Sequence, residues 1–218
     1  MSTRAWLALV AVAACGASPA PEQRAHHADH DFHDAAEWAK RFDDPARDAW
    51  QKPDEVVALL QLQPGMTVAD LGAGTGYLEP YLARAVGAGG HVLGLDVEPS
   101  MVAYLRDRAA REGMANVESR QVAPDDPGLA PGSVDRVVIV DTWHHLPDRP
   151  TYAKKLAAAL APGGTVTIVD FTLESRMGPP VHERVSPGRA LEELRAGGLR
   201  GEIVPENLPE QYVVRALR

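Results

Sequence analysis

Asp70, Gly72, Gly74 and Gly76 fall at alternate positions in the run VADLGAGTGYL at residues 68–78. Apolar and small residues lead into the acid, glycines follow, and a helical pattern starts at Tyr77. The pattern predicts a buried strand, a tight turn and a helix start. Glycines there let the backbone take positive φ and come close to a ligand that a side chain would push away. The free N–H groups of the new helix then face whatever lies beyond the strand end. A second strand-like run, GHVLGLD at 90–96, ends in Asp96. That acid follows the glycines at about twenty residues, a separation from which a carboxylate reaches a ribose. Further on, a strongly apolar run at 134–140 leads into Asp141, Thr142, Trp143, His144 and His145.

The glycine spacing separates cofactor readings. A dinucleotide fingerprint needs G-x-G-x-x-G, and Tyr77 stands where the third glycine would fall. A phosphate-binding Walker loop fails too, because no Gly-Lys-Ser/Thr follows. The segment resembles instead the first motif of class I S-adenosylmethionine-dependent methyltransferases, whose D/E-x-G-x-G-x-G is matched by Asp70, Gly72, Gly74 and Gly76. The resemblance covers roughly residues 53–218. Residues 155–164, with L-x-P-G-G, look like that family's helix, turn and fifth strand, and residues 134–146 look like its fourth strand and following loop. The tail resembles its closing antiparallel hairpin, over 201–204 and 212–217.

The resemblance implies a cofactor, S-adenosylmethionine, and roles for the residues that match. Backbone at Gly72, Ala73, Gly74 and Gly76 approaches the amino-acid end and ribose, and Asp70 favours the ammonium directly or through water. Asp96 accepts the ribose hydroxyls, a charge-assisted contact. Val97 and Val122 either sandwich adenine or belong to the core, and Asp125 is the candidate acid near adenine, with Pro124 shifting the phase of that segment. Asp141 joins the cofactor set at the end of the fourth strand. Methyl transfer is an in-line displacement needing alignment and water exclusion more than a metal. His144 and His145 are candidate bases for an acceptor proton, or a structural element of the loop. Trp143 either lines the acceptor pocket or closes it.

Elements that would position these residues follow in order. Residues 35–42 read as an amphipathic helix with Trp38 and Phe42; Asp44-Pro45 is a helix entry, with the acid as cap; Pro53 opens another helix. These pieces either cover the cofactor mouth or staple the extension to the sheet. Strands are expected at 67–71, 91–95, 117–122, 134–140 and 165–171. Helices are expected from about 76 to 86, from 98 to 113 and from 150 to 160. Strands alternating with helices mean an α/β, doubly wound, mostly parallel sheet. The closing hairpin makes it seven-stranded with one reversed strand, a Rossmann-like methyltransferase fold with an N-terminal helical extension.

The chain has 218 residues, net charge −8 and 45% hydrophobic residues. This suits one domain with an extension and disfavours nucleic acid or an anionic membrane surface as partner. Arg4 and the apolar stretch 5–14 have signal-peptide proportions. The only cysteine, Cys15, closes the stretch Val12, Ala13, Ala14, Cys15, which looks like a bacterial lipoprotein box. The expected division is a signal at 1–15, a His-rich linker at 16–34 and a methyltransferase domain at 35–218. His26, His27, His30 and His33 in the linker are either solvated or a transition-metal site.

Export sits uneasily with a cofactor made in the cytosol. Two functions therefore stand: a monomeric small-molecule methyltransferase, and a membrane-tethered binding protein built on the same fold. An exported, membrane-anchored lipoprotein is the expected location, with a cytoplasmic enzyme as the alternative.

Overall fold

The structure, a computed structural model, describes residues 34–218. Cys15, the signal stretch and the four linker histidines lie outside the described residues.

Three short helices precede the sheet: α1 (Ala35–Phe42), α2 (Asp48–Gln51) and α3 (Pro53–Leu59). Asp34 caps α1 by accepting the Ala36 and Glu37 amides, and Asp44 caps a 3₁₀ turn at Pro45–Arg47 by accepting the Ala46 amide. Then come β1 (Thr67–Leu71), α4 (Glu79–Val86), β2 (His91–Asp96), α5 (Pro99–Glu112), β3 (Val117–Gln121) and β4 (Val134–Val140). The chain continues through α6 (Arg149–Ala159), β5 (Leu160–Phe171), α7 (Pro187–Ala196), β6 (Arg200–Val204) and β7 (Gln211–Leu217).

The seven strands form one sheet in the order β3-β2-β1-β4-β5-β7-β6, with β7 antiparallel to both its neighbours. β4 shows why the parallel strands read as continuous apolar runs: Val137 and Ile139 enter one core, Val138 and Val140 the other. The first core packs against α6 and α7 through Tyr152, Leu156 and Leu194, the second against α3 and α4 through Val56, Leu60 and Leu82. Chain reversal in sheet order, between β1 and β4, opens a crevice beyond the strand ends, where ligands of such folds bind.

Two boundaries differ from expectation by more than one residue. α4 starts at Glu79 rather than near 76, because Gly76 holds φ +85° and residues 76–78 stay in the turn until Pro80 sets the first helical turn. β5 starts at Leu160, since Leu160 pairs with Val134 before a register shift carries the strand through the Pro-Gly-Gly segment. α6 correspondingly ends at Ala159. Helix α7 is an addition: Ser186 caps it by accepting the Arg189 amide, and Ala190 and Leu194 bury its inner face.

Candidate functional site

The glycine turn is built against the end of β2. Gly72 and Ala73 both donate their amides to Leu95 O, at 2.8 and 3.1 Å. Gly72 has φ +80°, and a Cβ there would lie 2.2 Å from Thr142 Oγ1. No other residue fits, so the turn can lie flat against the segment that follows β4. Gly76 is equally confined, with Leu105 Cδ1 at 2.3 Å from where a Cβ would sit.

Asp96 lies against this turn. Its Oδ2 accepts the Gly74 amide at 2.8 Å and its Oδ1 accepts the Glu98 amide at 2.9 Å. Burial raises the Asp96 carboxyl above its ordinary value, and those two amides oppose the rise. Each oxygen keeps lone-pair capacity for a further donor. Val97, next along, is 41% exposed and presents an apolar surface beside the acid, whereas Val122 is buried in the first core. Asp70, one residue before the end of β1, is 4% exposed. Burial pushes it up to about 7, Arg47 pulls it down, and the charge of Asp96 pushes it up again.

Asp141, at φ +51°, directly follows β4. Gln211 donates Nε2 to its Oδ1 at 2.6 Å, and an Arg47 guanidinium nitrogen stands 3.7 Å from its Oδ2. Burial pushes Asp141 up to about 7, with Arg47 opposing and Asp170 adding to the rise. Parallel register sets Val140 beside Val169, so Asp141 and Asp170 leave neighbouring strands at the same level.

His144 Nδ1 lies 2.9 and 3.0 Å from the two oxygens of Asp170, and the His144 amide also donates to Asp170 Oδ2 at 3.3 Å. With Asp170 ionised, Nδ1 carries the proton and Nε2 is left as the acceptor. The His144 side chain is 3% exposed, and the His145 ring lies over it at 4.1 Å. Trp143 is in neither expected place: it is buried in the first core and donates Nε1 to Glu193 Oε2 at 3.0 Å. Glu193 also accepts Arg149 Nε and Arg189 Nε, at 2.8 Å each. Asp125 stands apart from this group. Its carboxylate is 3.9 Å from Lys155 Nζ on α6, and the side chain is 77% exposed.

Residues of the N-terminal extension contact the glycine turn and the start of β7. Phe42 lies 3.7 Å from where a Gly74 Cβ would sit, and Asp43 Oδ1 accepts both Thr75 Oγ1 and an Arg108 guanidinium N–H at 2.9 Å. Tyr77 donates its hydroxyl to Asp48, and Gln51 donates Nε2 to Gln211 Oε1 at 2.7 Å. Arg47 donates to Phe42 O and Gln51 Oε1 and lies 4.1 Å over the Tyr77 ring. The extension's contacts run both to the glycine turn, through Phe42 and Asp43, and to the sheet, through Gln51 on Gln211 and Trp50 on Phe171.

Arg47, Asp170 and Gln211 were missed in the sequence. Asp170 carried the signal used for Asp70 and Asp96, an acid closing an apolar strand. Arg47 and Gln211 had none, because their partners are distant in the chain.

A methyltransferase-domain family matches residues 68–164. A solved SAM-dependent methyltransferase from Aquifex aeolicus is 31% identical, covering 84% of this chain and 97% of that one with a TM-score of 0.78. Nocamycin O-methyltransferase of Saccharothrix syringae is 31% identical over 148 residues, 68% of this chain and 50% of that protein. Methyltransferase GfsG of Streptomyces halstedii is 31% identical over 137 residues, 62% of this chain and 48% of that protein. The chain thus spans about half the length of these two curated relatives.

The residues present suit the family's cofactor, S-adenosylmethionine. A turn with glycine at 72, 74 and 76 abuts Asp96, an acid with spare acceptor capacity, and a second buried acid, Asp70, offers a charge for an ammonium. In fold, sequence and crevice alike, the chain belongs to the S-adenosylmethionine-dependent methyltransferases.

Proposed function

We propose that this chain methylates a small-molecule acceptor held between the N-terminal cover and the ends of β4 and β5. The observation that carries the reading is the Asp96 carboxylate seated on the Gly74 amide at 2.8 Å. It supports a ribose lying across the ends of β1 and β2, as the spacing of the two acids implies.

The bound cofactor supplies an electrophilic methyl on a cationic sulfur. Asp96 and Asp70 anchor its sugar and its ammonium, so the methyl is aimed rather than free to tumble. The cover, tied down by Asp43, Asp48 and Gln51, keeps water out and the local dielectric low. His144, oriented by Asp170, presents Nε2 to take a proton from the acceptor. His145 holds the His144 ring in place. Val97 flanks the base. The relatives support a small-molecule acceptor by their names alone, and O-methylation is named for the Saccharothrix protein.

The test is label transfer from methyl-tritiated S-adenosylmethionine to a panel of oxygen, nitrogen and carbon nucleophiles. Label moving to an acceptor, with equal release of S-adenosylhomocysteine, supports the reading. Tight cofactor binding without turnover across the panel favours a binding protein built on this fold.

We also propose lipid anchoring at Cys15. Palmitate labelling of the full chain, lost in Cys15→Ser, is the expected result; equal labelling of both contradicts it.

A further inference from the structure

One carboxylate beneath the glycine turn has no part in the account above. Glu79 opens α4 and is fully buried, and among the described residues neither Oε1 nor Oε2 has a hydrogen-bond partner. Buried carboxylates are ordinarily paired, so an orphan of this kind needs a reason. Two glycines make its room. A Cβ at Gly94 would lie 3.0 Å from Oε1, and one at Gly76 would lie 3.4 Å from Oε2. Leu105 closes the same space, at 2.4 Å from the Gly94 Cβ position and 2.3 Å from that of Gly76. The acid therefore sits under the turn whose upper side faces the cofactor.

Asp70 on β1 is its neighbour. The charged groups facing Glu79 are Asp70, Arg108 from α5 and Asp43 from the end of α1; those facing Asp70 are Arg47 from the cover and Asp96 from β2. Neither arginine is free for the pair. Arg108 is engaged by Asp43, Glu112 and Thr75 O, and Arg47 by Phe42 O, Gln51 and Asp141. Two buried acids without a cation of their own stay neutral more cheaply than charged. Burial and the Asp70 charge hold Glu79 well above the usual carboxylate range. Its place at the start of α4 favours the anion once an outside cation arrives.

We propose that Asp70 and Glu79 are kept protonated beneath the glycine turn, the pair surrendering one proton when a cationic cofactor lies above and recovering it once the product is neutral, so that it selects cofactor over product. The inference rests on the reading that this crevice binds S-adenosylmethionine. Near neutral pH that molecule carries one net positive charge from its sulfonium, ammonium and carboxylate; S-adenosylhomocysteine carries none. On cofactor binding one O–H bond of the acid pair breaks, and the proton goes to the buffer. On methyl transfer the C–S electron pair stays on sulfur, which becomes a neutral thioether. A proton from the acceptor or from solvent then re-forms the O–H bond.

The test is titration calorimetry of the full chain with S-adenosylmethionine and, separately, S-adenosylhomocysteine. Each is measured in phosphate and in Tris at pH 7, buffers of different ionisation enthalpy. The amino group common to both ligands cancels in the comparison. Cofactor binding is expected to release close to one proton and product binding close to none. The cofactor Kd tightens by up to about tenfold per pH unit where the free pair is protonated, while the product Kd stays level. Glu79→Gln is expected to bind both ligands, with less proton release on cofactor binding and a flatter ratio of affinities against pH. Should that variant not fold, the proton count of the unaltered protein decides alone. Equal proton release for the two ligands, or none for either, overturns the inference and leaves the cofactor reading intact. No heat with either ligand overturns both.

Discussion

Arg47 stands 3.7 Å from Asp141 across the mouth of the crevice, with its guanidinium over the Tyr77 ring. The cover and the sheet thus meet at a cation that faces two buried acids, Asp70 and Asp141. Replacing it by Met keeps much of the stem packing and removes the charge. Arg47→Met should lose about 1–3 kcal/mol of stability, read as a lower Tm. Proteolysis within residues 42–53 should quicken as the cover loosens. An unchanged Tm and cleavage rate would show that the cover is held without it.

Four buried acids with raised carboxyls, Asp70, Glu79, Asp96 and Asp141, make stability depend on pH. Asp70 and Asp141 hold their protons in the folded protein up to about 7, whereas in the unfolded chain they lose them near 4. Their contribution is complete below pH 4 and is lost as pH rises through 7. The slope is ~1.4 kcal/mol per pH unit for each acid across that window. Glu193, whose carboxyl is lowered by its arginines against the effect of burial, acts oppositely and only at the acid end. Thermal melts from pH 4 to 8 should show the fall, and Asp141→Asn should flatten it. A stability that climbs from pH 5 to 7 contradicts the assignment.

Gly72 and Gly87 separate a functional glycine from an ordinary turn. Both have positive φ, but a Cβ at Gly87 meets nothing within 4 Å, while one at Gly72 collides with Thr142. Gly87→Ala should cost ~1 kcal/mol and leave cofactor affinity alone. Gly72→Ala should cost more and weaken cofactor binding at least about tenfold, ~1.4 kcal/mol. Equal effects in melts and titrations would remove the case for a built cradle.

Much of this architecture was legible in residues 67–171, where buried parallel strands alternate with helices and each pattern is local. The acid–glycine spacing located the crevice for the same reason: Asp70, the turn and Asp96 belong to one strand–turn–helix–strand unit. Trp143 and α7 were not legible. The indole is claimed by Glu193, a residue on a helix that packs from far along the chain, and the helix itself begins after a loop without strong periodicity. The start of α4 was misplaced because a glycine in the left-handed region delays a helix that its apolar spacing alone would begin earlier.

Asp170 fixes the tautomer and the orientation of His144. Asp170→Asn should lower kcat by about 10²-fold with cofactor affinity unchanged. A loss confined to KM would make Asp170 a packing residue only.

The most direct test of the account is calorimetric titration of S-adenosylmethionine into the unaltered chain and into Asp96→Ala, with melts to confirm that both are folded. The account predicts saturable binding to the first and an affinity at least about tenfold lower in the second, from loss of a charge-assisted contact worth ~1.5–3 kcal/mol. Equal affinities in two folded proteins, or no binding to the unaltered one, would contradict it.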